Sequence, residues 1–206
     1  MIETVVVDLG GVASRFRPER RLQALASLSG LAQELIREHL FDSGLERQAE
    51  LGAYSAAQVV AAVQSALDQR VPQSELIDSW ALAFEPDTHV LESIASLPVR
   101  RVLFTNNGPM IDACLAGPLK QVAAAFDEII CSWHLGVRKP EAGAFKRAAE
   151  RLRCPPERLL LLDDSAENVE AAIRCDWDAS CVNGVDEVRA AIRRRITTYS
   201  IEITKP

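Results

Sequence analysis

The sequence is poor in positive charge and has no extended basic region. Lys and Arg number 23 against 29 Asp and Glu, which gives a formal net charge of −6 at pH 7. Nucleic-acid binding draws its affinity from clustered Lys and Arg, so this balance argues against a nucleic-acid partner. The basic cluster of Arg189 and Arg193 to Arg195 lies near the end of a predicted helix, where positive charge complements the helix dipole. A small ligand is the better expectation.

The chain also lacks the signals of secreted and membrane proteins. Met1 to Val5 contain neither a basic segment nor a long apolar stretch, and no apolar run elsewhere approaches a membrane span. The five cysteines make an odd number, without CxxC pairs or the histidine spacing of a zinc site, so we expect reduced and mostly buried thiols. These absences favour a cytoplasmic protein without a membrane partner. As to assembly, we expect a monomer or a homodimer.

What the sequence does contain is a repeated alternation of strand-like and helix-like segments. With 48% hydrophobic residues in 206, the chain can bury one domain core and carry a sizeable insertion. Such alternation implies a parallel sheet with right-handed crossovers. The predicted strands cover 4–7, 101–104, 128–131, 159–162 and 179–182, and the predicted helices between and after them cover 90–97, 109–115, 142–152, 167–174 and 186–195.

A helical block interrupts this alternation after the first strand. Apolar residues recur at helical spacing in four segments of the block, which are punctuated by glycine and proline. The four segments are 20–28, 32–40, 56–67 and 74–83. We interpret 17–85 as an inserted helical domain and 1–16 with 86–206 as one α/β core, whose last residues, 196–206, have no predicted place.

Polar residues fall where successive strands end. Asp8 follows the first strand, Thr105-Asn106 the second, and Asp163-Asp164 the fourth, while Lys139 lies in the loop beyond the third. Because ligands of open parallel sheets bind beyond the carboxyl ends of the strands, these side chains are candidates for one site. Each also has an ordinary interpretation: a turn, a helix cap or a solvated lysine. The acidic pair is the hardest to explain without a cation, because adjacent like charges after a buried strand repel each other.

In chain order these residues resemble the four motifs of the haloacid dehalogenase-like superfamily. The matching residues are Asp8-Leu9-Gly10-Gly11-Val12, Thr105-Asn106, Lys139-Pro140, and Asp163-Asp164 with Asn168. The resemblance covers nearly the whole chain, because the helical block sits where the C1 cap of subfamily I is inserted. It is strongest to the branch of bacterial glucose-1-phosphate phosphatases and the N-terminal phosphatase of soluble epoxide hydrolases. The implied fold is a Rossmann-like parallel-sheet core with an inserted α-helical cap domain.

The resemblance implies a Mg²⁺-dependent phosphatase acting on a small phosphorylated metabolite, for which a sugar phosphate is one candidate. Asp8 would be the nucleophile that forms an aspartyl-phosphate. Mg²⁺ would be held by Asp8, the Gly10 carbonyl oxygen and Asp164, with Asp163 assisting directly or through another residue. Thr105 and Asn106 would bind phosphoryl oxygens, Lys139 would neutralise charge there and on the nucleophile, and Asn168 would orient the acidic pair or Lys139.

One position departs from the family pattern. Most phosphatases of the superfamily have a second Asp two residues after the nucleophile, which protonates the leaving group, and this chain has Gly10 there. The substrate could have a good leaving group, another residue or water could supply the proton, or the protein could be a weak or inactive binding protein. A hydrolytic 2-haloacid dehalogenase, which also lacks the second Asp and needs no metal, is the rival enzyme.

The inserted domain is expected to select the substrate, because such caps close over the strand ends and exclude water. The polar candidates for contact with the substrate, each of which solvation also explains, are Arg15, Arg17, Asp42, Glu46 and Arg47. Near the third strand end, Trp133 and His134 could contact the ligand, although a packed tryptophan and an exposed histidine are the simpler interpretation.

Overall fold

A computed structural model describes residues 1–196, which are built around a five-stranded parallel sheet with a two-stranded antiparallel sheet beside it. The strands are β1 (Thr4–Val7), β2 (Ser14–Phe16), β3 (Phe84–Pro86), β4 (Arg100–Thr105), β5 (Glu128–Cys131), β6 (Leu159–Asp163) and β7 (Asp178–Cys181). The parallel sheet has the order β5-β4-β1-β6-β7, so β1 lies at its centre. Of the unplaced tail, 197–206 lie outside the described residues.

Helices connect the strands and form the insertion. The α-helices are α1 (Pro18–Ser29), α2 (Gln33–Arg37), α3 (Leu45–Glu50), α4 (Ala56–Ala66), α5 (Gln73–Ala81), α6 (Thr88–Ala95), α7 (Met110–Ala116), α8 (Lys120–Ala123), α9 (Ser132–Leu135), α10 (Ala142–Leu152), α11 (Ala166–Ile173) and α12 (Val185–Arg195). A π-helical turn, Glu38–Asp42, follows α2, and a 3₁₀ turn, Pro156–Arg158, precedes β6. Local capping fixes several starts: Ser55 forms a capping box with Gln58 at α4, and Asp87 accepts two backbone N–H groups at α6.

The central strand is apolar on both faces because helices cover both faces of the sheet. All four residues of β1 are buried. Val5 and Val7 belong to one core cluster, which includes residues of α6 and α12, whereas Val6 belongs to a second cluster formed with α10 and α11. This burial explains the continuous β-branched run in the sequence and confirms the α/β class with a Rossmann-like parallel sheet.

The helical insertion lies between β2 and β3, which pair antiparallel at its two ends. Three features of this region were absent from the sequence interpretation. The strands β2 and β3 have three residues each, and α3 has six, so none is long enough to show a period. The helix predicted over 32–40 is divided into α2 and the π-helical turn. In the core, strand β7 begins one residue earlier than predicted.

The cysteines agree with the prediction of reduced and mostly buried thiols. All five cysteines are free thiols, and Cys114, Cys131 and Cys154 are buried. Within residues 1–196, no helix has the length and apolar character needed to cross a membrane.

Candidate active site at the strand ends

Strand register brings three main-chain positions to the same level. Val7 pairs with Leu103 on one side and with Leu162 on the other, so the next residue of each strand lies in one row across the sheet. Asp8 continues the ladder, because its N–H donates to the carbonyl oxygen of Leu162 at 2.9 Å. The apolar strands therefore determine where the first polar side chains emerge.

Lys139 joins that row through its ammonium group. Nζ donates to Asp8 Oδ1 at 2.7 Å, to Asp163 Oδ2 at 2.6 Å and to the carbonyl oxygen of Phe104 at 2.9 Å. The lysine is 1% exposed. Burial alone would lower the pKa of Lys139, but the carboxylates of Asp8 and Asp163 outweigh it and raise the pKa above its ordinary value. Lys139 is thus a buried cation with all three hydrogen-bond donors engaged, and the solvated-lysine interpretation is wrong for it.

Asp8 carries a carboxyl group that is less acidic than an ordinary aspartate. Burial raises its pKa to about 6, the charge of Lys139 opposes this rise, and the neighbouring carboxylates of Asp163 and Asp164 add to it. Only Oδ1 is bound to Lys139, and no hydrogen bond among the described residues engages Oδ2. One carboxylate oxygen is therefore free to act on a ligand.

The loop after β4 holds the backbone of Lys139 in place. Asn106 donates from Nδ2 to the carbonyl oxygen of Lys139 and accepts the Lys139 N–H at Oδ1, both at 2.9 Å. Asn107 donates from Nδ2 to Thr105 Oγ1 at 2.7 Å, which leaves the Thr105 hydroxyl proton able to point elsewhere. The side chain of Asn106 is thus committed to the lysine, and Thr105 supplies the hydroxyl donor of this loop.

The two residues of the acidic pair have different surroundings. Asp163 is fully buried, and its Oδ1 accepts from Asn168 Nδ2 at 2.9 Å and from the N–H of Ser165 at 3.0 Å, while Oδ2 binds Lys139. Asp164 is exposed, and no ion pair within residues 1–196 includes it. Partial burial of its carboxyl group on the pocket side, followed by the charge of Asp163, raises its pKa. Asp163 is therefore saturated, whereas Asp164 has an uncompensated carboxylate.

The turn after Asp8 is shaped around the Asp164 carboxylate. Gly11 has φ = +101°, and a Cβ atom at this position would lie 2.1 Å from Asp164 Oδ2. Glycine meets both the backbone conformation and the close approach. Within residues 1–196, no three His, Cys, Asp or Glu side chains are grouped to hold a metal. Two carboxylates and backbone oxygen completed by water are the ligand set that Mg²⁺ accepts, so Asp8, Asp164 and Gly10 fit this ion rather than zinc.

A pocket of about 320 Å³ lies over these residues, and the helical insertion forms its other wall. It is lined by Asp8, Gly10, Phe16, Arg21, Glu46, Glu50, Phe84, Thr105, Asn106, Asn107, Arg138, Lys139, Asp164 and Asn168. A larger groove of about 670 Å³ lies among helices of the insertion, but no strand-end residue lines it. The pocket over the strand ends is the one lined by Asp8, Lys139 and Asp164.

The insertion contributes Arg21, Glu46 and Glu50 to the wall opposite the strand ends, and Arg138, from the core loop before α10, lies beside Glu50. Arg21 is buried, and its Nη1 donates to Glu46 Oε1 at 2.6 Å while its guanidinium lies 4.1 Å from the ring centroid of Trp80. Arg138 Nε lies 3.1 Å from Glu50 Oε2, at an angle too bent for a hydrogen bond. Burial raises the pKa of Glu50 to about 7, although the charge of Arg138 opposes the rise.

The polar residues predicted to contact the substrate are mostly outside this pocket. Glu46 lines it, whereas Arg15, Arg17, Asp42 and Arg47 are exposed and do not. Trp133 is half-buried and His134 exposed, and neither lines the pocket.

Three wall residues, Arg21, Glu50 and Arg138, were not among the predicted site residues. The four-residue spacing of Glu46 and Glu50 on α3 is a signal that places both on one helix face. No comparable signal distinguishes Arg21 from its neighbouring surface arginines.

Solved structures share this fold at low sequence identity. A HAD-like family hydrolase from Porphyromonas gingivalis has a TM-score of 0.75 at 23% identity, covering 97% of this chain and 100% of the other. A HAD family enzyme from Bacteroides thetaiotaomicron, in complex with magnesium and inorganic phosphate, has a TM-score of 0.71 at 20% identity, with 87% and 93% covered. The L-2-haloacid dehalogenase from Xanthobacter autotrophicus has a TM-score of 0.60 at 20% identity, with 98% and 84% covered.

The sequence itself identifies the family. No curated protein matches the chain. A family model described as haloacid dehalogenase-like hydrolase matches residues 2–176, a span that includes every strand-end residue of the site. The chain therefore belongs to the haloacid dehalogenase-like hydrolases and is an enzyme.

Proposed function

We propose that this hydrolase is a Mg²⁺-dependent phosphatase that transfers the phosphoryl group of a small metabolite to Asp8 and then to water. The observation that carries the proposal is the contrast within the acidic pair: Asp163 is saturated by Lys139 and Asn168, while Asp164 faces the pocket with its charge uncompensated. A cation beside Asp8 and Asp164 would remove that repulsion. The Bacteroides relative in complex with magnesium and inorganic phosphate supports the same ion and ligand here.

In the proposed reaction, the strand-end residues divide the work of phosphoryl transfer. Asp8 attacks phosphorus through the oxygen that Lys139 leaves free. Lys139 stays protonated and offsets charge on the nucleophile and the phosphoryl group, and the Thr105 hydroxyl donates to a phosphoryl oxygen. Asn106 acts by holding the Lys139 backbone, and Asp163 with Asn168 by holding the ammonium. Mg²⁺ held by Asp8, the Gly10 carbonyl oxygen and Asp164 would supply further positive charge.

The helical insertion, 17–85, is proposed to be a C1-type cap on a core of 1–16 and 86–206. Arg21, Glu46 and Glu50 support this role because they form the pocket wall opposite the strand ends. Arg21 of the insertion pairs with Glu46, and Arg138 of the core pairs with Glu50, so each of these cations has an acidic partner. A small phosphorylated substrate with a neutral, hydroxyl-rich remainder, such as a sugar phosphate, suits a wall of this kind.

The test is hydrolysis of p-nitrophenyl phosphate and a panel of sugar phosphates, each with Mg²⁺ and with EDTA. We expect phosphate release that EDTA abolishes. Asp8→Asn should lower kcat by on the order of 10⁴-fold or more, because the nucleophile is lost. Asp186→Asn, an exposed aspartate of α12 outside the pocket, is the matched control and should retain wild-type rates. Equal rates in wild type and Asp8→Asn would rule out catalysis through Asp8.

A 2-haloacid dehalogenase is the second candidate, because the Xanthobacter enzyme shares the fold over nearly the whole chain. Its reaction displaces halide from carbon and gives the uncompensated Asp164 no role. Release of chloride from chloroacetate in EDTA, together with no phosphate release in Mg²⁺, would replace the phosphatase proposal with this one.

A further inference from the structure

Cleavage of a phosphate ester leaves an alkoxide unless a proton reaches the leaving oxygen. A positioned acid supplies that proton most effectively when its pKa lies near the working pH. The residue two positions after Asp8 is Gly10, which has no side chain to donate. The donor must therefore come from elsewhere in the pocket, provided that the proposed phosphatase function holds.

The described pocket offers four carboxyl groups, and three of them have other partners or roles. Asp8 is the nucleophile in the proposed reaction. Asp164 lies at the proposed cation position, so a proton there would displace the cation. Glu46 accepts Arg21 Nη1 at 2.6 Å, a charge-assisted hydrogen bond that favours the ionised form. The remaining carboxyl group is that of Glu50 at the end of α3, whose neighbour Arg138 lies at 3.1 Å without forming a hydrogen bond.

We propose that Glu50 is the acid that protonates the leaving group and, in the second half of the reaction, the base that activates water. Its side chain is 15% exposed and lines the same pocket as Asp8. The chain after it is fixed by close packing: Gly52 has φ = +75°, and a Cβ atom there would lie 2.6 Å from the carbonyl oxygen of Trp133. Glu50 is therefore held against the core at the edge of the site.

The surroundings of Glu50 suit a group that both donates and accepts a proton near neutral pH. Burial is the largest influence and raises its pKa to about 7, and the charge of Glu46 adds to the rise. The positive charges of Arg138, Arg47 and Arg21 oppose it. These five side chains come from α1, α3 and the loop before α10, and Arg138 also lies beside Oε2, where it can orient the carboxyl group.

The proton and electron pairs balance over two steps. In the first, an Asp8 oxygen forms a bond to phosphorus, the P–O bond of the ester breaks, and the Glu50 proton moves to the departing oxygen to give a neutral alcohol. In the second, ionised Glu50 takes a proton from water as the water oxygen attacks phosphorus. The P–O bond to Asp8 then breaks, which releases inorganic phosphate and restores the carboxylate of Asp8 and the protonated Glu50.

A series of aryl phosphates of similar shape tests this role, because the need for an acid grows with the basicity of the leaving phenol. The substrates are p-nitrophenyl, p-chlorophenyl, phenyl and p-methoxyphenyl phosphate with Mg²⁺. Glu50→Gln should lower kcat/KM by roughly 100-fold for phenyl phosphate, the usual contribution of a general acid. The loss for p-nitrophenyl phosphate should be roughly threefold, because p-nitrophenolate needs little protonation. Glu46→Gln, a neighbour on the same helix and pocket wall, should lower all four substrates by one common factor.

The pH profile gives an independent readout. In the wild type, kcat/KM for phenyl phosphate should fall as pH rises above about 7, because Glu50 loses its proton, and Glu50→Gln should lack this limb. Equal losses for all four substrates in Glu50→Gln, or an unchanged pH limb, would overturn the proposal while leaving the phosphatase intact. No hydrolysis of any aryl phosphate or of any sugar phosphate by the wild type would overturn both.

Discussion

The two walls of the pocket are constructed by different means. On the core side, register across β4, β1 and β6 sets the positions, and hydrogen bonds occupy all three donors of Lys139 and both oxygens of Asp163. On the insertion side, helices α1 and α3 carry the charges, and Nε and Nη2 of Arg21 are buried without a hydrogen-bond partner among the described residues. Strand register therefore positions the groups that are proposed to react, while side-chain packing positions the charged groups on the opposite wall of the pocket.

The two walls should also differ in how much stability is lost when a charge is removed, because each wall contains one buried cation. Lys139 and Arg21 are both 1% exposed. Lys139 neutralises two carboxylates whose side chains are 12% and 0% exposed. Arg21 is paired with one carboxylate, Glu46, whose side chain is 29% exposed. Removal of the cation thus strands two buried charges in one wall and one partly hydrated charge in the other.

The largest effect on stability is expected from Lys139→Met. The substitution leaves Asp8 and Asp163 without their shared cation, and breaking a buried pair in this way costs about 3–5 kcal/mol. Urea unfolding in EDTA measures this free energy without a contribution from metal binding. Lys146→Met, an exposed lysine of α10, is the control and should change stability by less than about 0.5 kcal/mol. A Lys139→Met protein as stable as its control would show that the carboxylates do not need the lysine.

A smaller effect on stability is expected from the titration of Glu50. Its pKa is raised from 4.5 to about 7 on folding, so the folded protein binds this proton more tightly than the unfolded chain. The contribution to stability is complete below pH 4.5 and is lost as pH rises toward 7. We expect the stability of the wild type relative to Glu50→Gln to fall by roughly 2–3 kcal/mol over this window. A stability difference that stays constant with pH would contradict the shift.

The next largest effect is expected from Gly11→Ala, on the affinity for Mg²⁺. The added Cβ would meet Asp164 Oδ2 at 2.1 Å and force that carboxylate away from Asp8. Displacement of a ligand should weaken Mg²⁺ binding by about 10- to 100-fold, which calorimetric titration of the protein with MgCl₂ measures directly. Gly184→Ala is the matched control, since Gly184 also has positive φ but open space at its Cβ. Equal Mg²⁺ affinity in both variants would mean that Asp164 is not a ligand.

The contrast between the walls also explains what could be predicted from the sequence. Strand ends are visible as apolar runs that stop at Asp8, Thr105 and Asp163, and a parallel sheet gathers such ends at one edge. The register then explains why Lys139 reaches both Asp8 and Asp163. The motif residues therefore predicted most of the core wall, although not that the Asn106 side chain is occupied by the Lys139 backbone.

The insertion wall was largely beyond prediction, because helix packing angles do not follow from periodicity. Arg21 sits in a run of arginines of which Arg20 is exposed, and the burial of Arg21 depends on contacts with Trp80 and Phe84. The spacing of Glu46 and Glu50 places both on one face of a helix, but α3 is too short to be predicted from its period, so the direction of that face toward the pocket was not apparent.

The smallest effect is expected from Arg21→Met, the same replacement of a buried cation by an apolar side chain. Methionine can keep contact with the Trp80 ring, and Glu46 can be hydrated because its side chain is 29% exposed. The loss of the cation–π contact and the ion pair should therefore cost about 1 kcal/mol in urea unfolding. A cost equal to that of Lys139→Met would mean that the insertion wall is as tightly coupled as the strand ends. A difference of about 2 kcal/mol or more between the two variants would mean that the cost comes from the buried carboxylates that the sheet brings together, and not from the loss of a buried cation as such.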